Sequence, residues 1–209
     1  MSARVTRIED LPPLEMAGVG YRLVRRELGV QAFGMNGFTA DAGEQLIEEH
    51  DELSNGHEEV YVVLTGGARF TVDGADQDAP AGTLVFVPDP ASRRTAVALE
   101  DGTSALVVGG RAGEAYEVSA WEEVLALKPL AEAGDPGAAA DAVAEILARH
   151  PGNASVLYDL ACFEALAGRR EPALAHLREA IERRAECREW AAEDPDLDSL
   201  RDDPGFPAS

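Results

Sequence analysis

The pattern of apolar residues changes once along the chain, near Ser119, and this change limits the possible folds more than any other feature. Over residues 21–110, short runs of β-branched and aromatic residues alternate with turn signals such as Asp73-Gly74. About seven such runs, spaced about ten residues apart, are typical of an antiparallel sandwich or barrel. After Ser119, Ala, Leu, Glu and Arg dominate, and apolar residues recur at helical spacing. We therefore predict a β-barrel domain with an N-terminal extension over residues 1–118, and an all-α domain with a capping segment over residues 119–209.

Two of the predicted strands, YVVL at 61–64 and LVFV at 84–87, are apolar at every position. Strands of this kind are usually covered on both faces. One face would line the interior of the barrel, and the other would meet a second element or a partner chain. The pattern therefore favours a homodimer formed through the barrel.

The helical part contains two segments in which equivalent positions lie 34 residues apart. The matching pairs are Gly134 and Gly168, Ala139 and Ala173, Val143 and Leu177, and Ile146 and Ala180. Paired helices with this period resemble the tetratricopeptide repeat, over about residues 120–187. The resemblance implies a module that binds a protein partner. Two repeats form little concave surface, however, so the helices could instead serve only to support the barrel.

Charge and composition exclude several classes of partner. The formal net charge is −21, which argues against binding to nucleic acid or to an anionic membrane surface. No stretch reaches the roughly 18 apolar residues of a membrane-spanning helix, and the first residues lack the apolar region of a signal peptide. Two cysteines, Cys162 and Cys187, without an export signal are typical of reduced thiols. We expect a cytoplasmic protein.

The segments EEVYVVLTG (58–66) and AGTLVFVPDP (81–90) resemble the two motifs of the cupin superfamily. Gly43, Glu59 and Gly66 stand where the first motif has a glycine, a glutamate ligand and a second glycine. Gly82 and Pro88 match the start of the second motif. The resemblance covers about residues 43–109 and implies a jelly-roll barrel. It implies no single activity, because this fold occurs in isomerases, dioxygenases, decarboxylases and binding proteins.

The three histidine ligands of the superfamily align with Leu53, Asn55 and Arg93, so Glu59 alone is retained. Leucine and guanidinium have no lone pair to offer, and an amide competes poorly with imidazole. The resemblance therefore implies a barrel that binds a small molecule without a metal cofactor. Arg93 would either pair with Glu59 or anchor an anion, and only one of Arg93 and Arg94 can point inward, because strand residues alternate. The expected cavity residues are Glu59, Tyr61, Phe86 and Arg93.

The sequence also allows a metal site with a different set of ligands. Of the four histidines, only His50 and His57 lie in the β part. With Glu59 they would form a set of two imidazoles and one carboxylate, which suits a divalent metal such as Fe, Mn, Ni or Zn. The chain would then be a metal-dependent oxygenase or isomerase. If the loop LSNG is an insertion, the ligand pair shifts to His50 and Glu52. A third hypothesis is a non-catalytic dimeric scaffold, so whether the chain is an enzyme remains open.

Overall fold

The computed structural model describes residues 3–16 and 18–207. The chain divides into two compact units, Met1–Val118 and Ser119–Ser209, which we call the β unit and the α unit. The β unit contains two antiparallel sheets, and the α unit is helical. The predicted fold class, an antiparallel barrel followed by an all-α segment, is confirmed.

Ten strands form the two sheets in the described part of the β unit. They are β1 (Leu14–Met16), β2 (Val19–Arg22), β3 (Gly34–Ala40), β4 (Gln45–His50), β5 (Glu58–Thr65), β6 (Gly67–Val72), β7 (Ala75–Pro80), β8 (Leu84–Val87), β9 (Arg94–Ala98) and β10 (Thr103–Gly110). The larger sheet has the strand order β1-β2-β3-β10-β5-β8, and the smaller has the order β4-β9-β6-β7. A short helix, α1 (Val24–Leu28), follows β2, and a 3-10 turn covers Ile8–Asp10.

Strand β5 illustrates how the core of the β unit forms. Glu59, Tyr61 and Val63 are buried, whereas Val60 and Val62 are only partly buried. Because successive strand residues point to opposite faces, one face of β5 contributes to the interior and the other lies on the outside of the sheet. A large aromatic side chain of the smaller sheet, Phe70, packs near Tyr61 with ring centroids 5.4 Å apart.

The corner between β5 and β6 requires a glycine. Gly66 has a φ of +65°, a conformation that L side chains rarely adopt. A Cβ atom at this position would also overlap with the Oγ1 of Thr103. The glycine that ends the first motif therefore has a steric role, because it lets the chain turn from the larger sheet into the smaller one.

Three strands lie outside the set of about seven that the sequence predicts. β1 and β2 fall in the segment that was expected to be an extension. β7 carries a polar sequence, ADQDAP, and most of its residues are exposed. It is held by its hairpin with β6, in which Arg69 pairs with Asp78 and Thr71 bonds to Asp76. An edge strand of this kind has no apolar alternation for a sequence pattern to detect.

The α unit consists of six helices in its described part. They are α2 (Ala120–Leu125), α3 (Lys128–Glu132), α4 (Pro136–Arg149), α5 (Ala154–Leu166), α6 (Arg170–Arg183) and α7 (Cys187–Glu193), followed by a 3-10 turn at Pro195–Leu200. Gly134 and Gly168 both have positive φ and precede α4 and α6. Two further pairs of positions that lie 34 residues apart are fully buried, namely Ala139 with Ala173 and Val143 with Leu177. The 34-residue period therefore corresponds to equivalent buried positions in successive helices.

Candidate functional site

The site is built around Glu59, the inward-facing carboxylate near the start of β5. The hydroxyl of Tyr61, two residues further along the same face, donates a hydrogen bond of 2.6 Å to Oε2 of Glu59. Tyr61 is fully buried, and Glu59 is nearly so. A strand of otherwise apolar residues therefore places one carboxylate in the interior of the β unit and fixes its orientation.

Strand β9 brings an arginine to the same place. Arg94 lies opposite His50 in the β4–β9 ladder and opposite Val72 in the β6–β9 ladder. Its side chain is 0% exposed, and its Nε lies 3.6 Å from Oε2 of Glu59. Among the described residues, none forms a hydrogen bond with Nε, Nη1 or Nη2 of Arg94. The guanidinium thus has an ionic partner, Glu59, but none of its N–H groups donates a hydrogen bond to a described residue.

His50, the last residue of β4, is oriented by its own backbone. Its Nδ1 lies 2.8 Å from the carbonyl oxygen of Glu48. Because a carbonyl oxygen only accepts, Nδ1 carries a proton and donates it. The second nitrogen, Nε2, lies 3.8 Å from Oε2 of Glu59. His50 therefore presents Nε2 to the carboxylate.

Glu52 reaches the interior through the turn that follows β4. The amides of Asn55 and Gly56 both donate to the carbonyl of Glu52, which closes the turn. The side chain of Asn55 donates to Oε2 of Glu52 at 2.9 Å, and Nδ1 of His57 lies 3.3 Å from the same oxygen. Glu52 is buried as a result. We call His50, Glu52, Glu59 and Arg94 the charged cluster.

The pKa values of Glu52 and Glu59, the two acids of the charged cluster, are shifted in opposite directions. Burial, together with the nearby Glu59 carboxylate, raises the pKa of Glu52 to about 7. Burial also opposes the ionisation of Glu59, but the nearby His50, the hydrogen bond from Tyr61 and the charge of Arg94 outweigh it and lower the pKa of Glu59. Two neighbouring carboxylates with opposite shifts favour a state with one proton between them.

The pKa values of His50 and His57 are also shifted in opposite directions. Burial opposes protonation of His50, but the nearby Glu59 carboxylate and the hydrogen bond to the Glu48 carbonyl outweigh burial and raise the pKa of His50. Burial lowers the pKa of His57 below its ordinary value. His50 therefore belongs to the charged cluster, whereas His57 is a neutral neighbour that contacts it through Glu52.

Three members of the cluster have the donors of a metal site. One ligand atom each from His50, Glu52 and Glu59 lies within 4.8 Å of the other two. One imidazole and two carboxylates suit zinc, iron or manganese. The guanidinium of Arg94 beside Glu59 already compensates one negative charge and would repel a cation. The three side chains fit a divalent metal in number and type of donor, while Arg94 offers the same acids a different positive partner.

A second group of such donors lies in the α unit and consists of Cys162, Asp194 and Asp196. Asp194 accepts hydrogen bonds from the hydroxyl of Tyr158 at 2.9 Å and from the thiol of Cys162 at 3.6 Å. Both Cys162 and Cys187 are buried and free. These hydrogen bonds account for the position of Cys162 without a ligand.

Two of the expected cavity residues lie elsewhere. Arg93 is 53% exposed and pairs with Glu49 at 2.9 Å and with Asp51 at 3.9 Å. Phe86 is 55% exposed on the outside of the larger sheet. Both placements correct the expectation from the sequence, because neither side chain faces the interior beside Glu59. Arg94 takes the position that was assigned to Arg93.

Of the remaining expected residues, all except His57 belong to one set of contacts. Glu59, Tyr61 and His50 lie within one connected set of contacts. His57 approaches Glu52 and is not among the three grouped donors. Glu52, the ligand expected only if the loop is an insertion, is present in the cluster. Arg94 is the residue that alignment to the motif missed, and the alternation of Arg93 and Arg94 along the strand was the signal that could have found it.

In the comparisons with known proteins, the family model matches the α unit. The tetratricopeptide repeat model matches residues 130–192, which confirms the helical repeat predicted at about residues 120–187. No curated protein sequence matches the chain. Among the described residues, no helix combines the length and the apolar character needed to cross a membrane.

Solved structures that are similar to about half of this chain include proteins named as cupins. A Cupin 2 conserved barrel domain protein from Salinispora arenicola is 24% identical, covers 54% of this chain and 90% of its own, and has a TM-score of 0.43. A predicted oxalate decarboxylase from Thermotoga maritima is 18% identical, with coverage of 52% and 99% and a TM-score of 0.43. A sugar phosphate isomerase from Silicibacter pomeroyi is 20% identical, with coverage of 46% and 61% and a TM-score of 0.39. The activities in these names belong to those proteins.

Proposed function

We propose that the β unit binds a small organic molecule at the charged cluster. The observation that supports this is Arg94, whose buried nitrogens lack hydrogen-bond partners in the described part of the chain. Buried polar groups in folded proteins are almost always hydrogen-bonded, and a buried ion without sufficient partners is costly. A bound molecule that supplies acceptors would remove this cost. The site would be reached from the side of His50, whose side chain is 32% exposed.

The proposal predicts that a fragment library contains molecules that bind the full chain at this cluster. Ligand-observed NMR with anionic, neutral and cationic fragments would detect them. We expect the double variant Glu59→Gln, Arg94→Met to abolish the binding of at least one class, because it removes the cluster's two opposite charges together. Arg93→Gln, which changes the exposed neighbour, should leave binding unchanged. If no fragment distinguishes the folded double variant from the wild type, the proposal is wrong.

The second candidate is a metal-dependent enzyme, an oxygenase or isomerase. The supporting observation is the grouping of His50, Glu52 and Glu59, with Nδ1 of His50 held by a backbone carbonyl. An outer hydrogen bond of this kind orients imidazole ligands in metal sites. These three side chains would hold the ion, and a divalent metal there would polarise an oxygen of a bound substrate. The predicted set of His50, His57 and Glu59 is thereby modified, with Glu52 in place of His57.

We also propose that the β unit forms a homodimer through the outer face of its larger sheet. Leu84 is 67% exposed and Phe86 55% exposed on β8, a strand at the edge of the sheet. They pair with Val62 and Val60 of β5. The outer apolar face consists of Val60, Val62, Leu64, Leu84, Phe86, Leu106 and Val108. A contiguous exposed apolar patch is typical of a protein interface, and a two-fold axis would cover the same uncharged surface on both copies.

The dimer is tested by the double variant Leu84→Asp, Phe86→Asp. Charges placed in an apolar interface are desolvated without partners, so we expect a wild-type dimer and a monomeric variant at micromolar concentration. Sedimentation velocity of the full chain measures the difference. Leu53→Asp is the matched control, because Leu53 is 65% exposed but lies in the turn after β4. A monomeric wild type, or equal dissociation in the control, would contradict the interface.

For the α unit we propose a protein-binding role, supported by the match of residues 130–192 to the tetratricopeptide repeat model. Repeats of this kind stack paired helices and use the resulting surface for partners. In the alternative proposal, a non-catalytic scaffold, the helices only support the barrel. We further propose that residues 1–118 and 119–209 are separate domains, and that the two free cysteines reflect a cytoplasmic protein.

A further inference from the structure

Arg94 needs more acceptors than its surroundings supply. Its guanidinium is permanently charged and carries five N–H groups. The contact with Glu59, at 3.6 Å from Nε, is an ion pair but is too long for a hydrogen bond. Nη1 and Nη2 are fully buried and have no hydrogen-bond partner among residues 3–16 and 18–207. The two terminal nitrogens are therefore the least satisfied donors of the cluster.

The acids nearby are already engaged by other groups. Oε2 of Glu59 accepts the hydroxyl of Tyr61 at 2.6 Å and also faces His50. Oε2 of Glu52 accepts the side-chain amide of Asn55 and lies beside His57. Moving Oε2 of either acid to Nη1 or Nη2 would break these contacts. The missing acceptors would then come from outside the chain.

The planar geometry of the Arg94 guanidinium group determines which kind of acceptor it binds best. A guanidinium binds planar two-oxygen groups through two parallel hydrogen bonds, and this geometry matches a carboxylate. A phosphate dianion is less favourable, because two acids, Glu52 and Glu59, belong to the same cluster and like charges repel. Because Glu59 already pairs with the guanidinium, one added negative charge is repelled less than two. These considerations favour a monocarboxylate over a phosphate.

We propose that the molecule bound by the charged cluster carries a carboxylate group, and that Nη1 and Nη2 of Arg94 bind it as a bidentate pair. This inference rests on the proposed function, since it names the ligand class of the same site. The carboxylate enters first and the rest of the molecule extends towards His50, because His50 is the most exposed member of the cluster, whereas Arg94 is 0% exposed. Specificity for the remainder of the ligand would thus lie near the open end.

The test compares matched pairs of probes on the full chain. Benzoate and benzamide, and acetate and acetamide, differ mainly in the charged group, and inorganic phosphate represents the other anion class. Dissociation constants come from titrations followed by NMR of the arginine side-chain N–H signals. We expect the two carboxylates to bind and to shift the Arg94 signal, and the two amides and phosphate to bind at least about tenfold more weakly.

Variants show whether Arg94 is responsible. Arg94→Lys keeps the charge but not the fork, so carboxylate affinity should fall by about tenfold or more, while Arg93→Lys should leave it unchanged. If Arg94→Lys does not fold, the charge-balanced Glu59→Gln, Arg94→Met variant should lose carboxylate binding. The inference is overturned if amides bind as well as carboxylates, if phosphate alone binds, or if the folded Arg94 variants retain full affinity. Neutral fragments that bind at the cluster while carboxylates do not would overturn this inference and leave the proposed function standing.

Discussion

Replacing Arg94 by methionine is expected to lower the free energy of unfolding by about 3–5 kcal/mol, the usual cost of removing one partner of a buried ion pair. Glu59 would remain in the interior with only the hydrogen bond from the Tyr61 hydroxyl and the nearby His50 to stabilise its charge. The loss of the guanidinium would also leave a less well filled space between the sheets. Denaturant unfolding of the full chain, followed by circular dichroism, measures the change.

Two variants separate the charge effect from a general loss of packing. Arg93→Met removes an exposed arginine whose partners, Glu49 and Asp51, lie on the surface, so its effect should be within about 1 kcal/mol. The double variant Glu59→Gln, Arg94→Met removes both buried charges and should recover much of the loss. An equal loss in the single and double variants would mean that Arg94 acts through packing alone.

The fold was predictable because its signals are local. The turn at Asp73-Gly74 falls between β6 and β7, and the apolar run ending at Gly66 is β5 with its corner. The 34-residue period places glycines before α4 and α6, and the family match supports the repeat. Strand pairing and helix repetition each leave a periodic pattern in one sequence. Polar edge strands such as β7 leave none.

The site was less predictable because it depends on strand register. A shift of one residue moves every side chain of a strand to the opposite face, and this is the difference between Arg93 and Arg94. The β4–β9 ladder is irregular between Ile47 and His50, so counting from the motif does not give the register.

Two other features of the site leave no pattern in the sequence. Phe86 belongs to a run that is apolar at every position, which gives no indication of its inward face. The turn that buries Glu52 depends on hydrogen bonds from the Asn55 and Gly56 amides to one carbonyl, and no periodicity reports these.

Replacing Glu52 by glutamine is expected to stabilise the chain at alkaline pH and to change it little in mild acid. The folded chain holds the Glu52 proton up to a pKa of about 7, whereas the ordinary value is 4.5. The stabilising contribution is therefore complete below about pH 4.5 and is lost as the pH rises through about 7. Glutamine stays neutral and avoids this loss, so the variant should gain about 2–3 kcal/mol relative to the wild type between about pH 5 and about pH 8.5.

The measurement is the difference in unfolding free energy between variant and wild type at each pH, which cancels most other titrating groups. Glu58→Gln provides the matched control, because Glu58 is exposed at the start of β5. We expect this substitution to change the stability little, because its side chain lies in water in both the folded and the unfolded chain. If the difference for Glu52→Gln did not change with pH, burial and the Glu59 charge could not be raising the pKa of Glu52 in solution.

The same titration decides between the metal-free barrel and the metal site. A carboxylate that ligates a metal must lose its proton, so metal binding couples to deprotonation. In the presence of Mn²⁺ or Zn²⁺, a chain that uses His50, Glu52 and Glu59 as ligands would gain stability as the pH rises, and Glu52→Gln would remove that gain. The sign of the variant's effect at alkaline pH would then reverse. We expect it to keep the same sign, because Arg94 already lies where its charge opposes a cation.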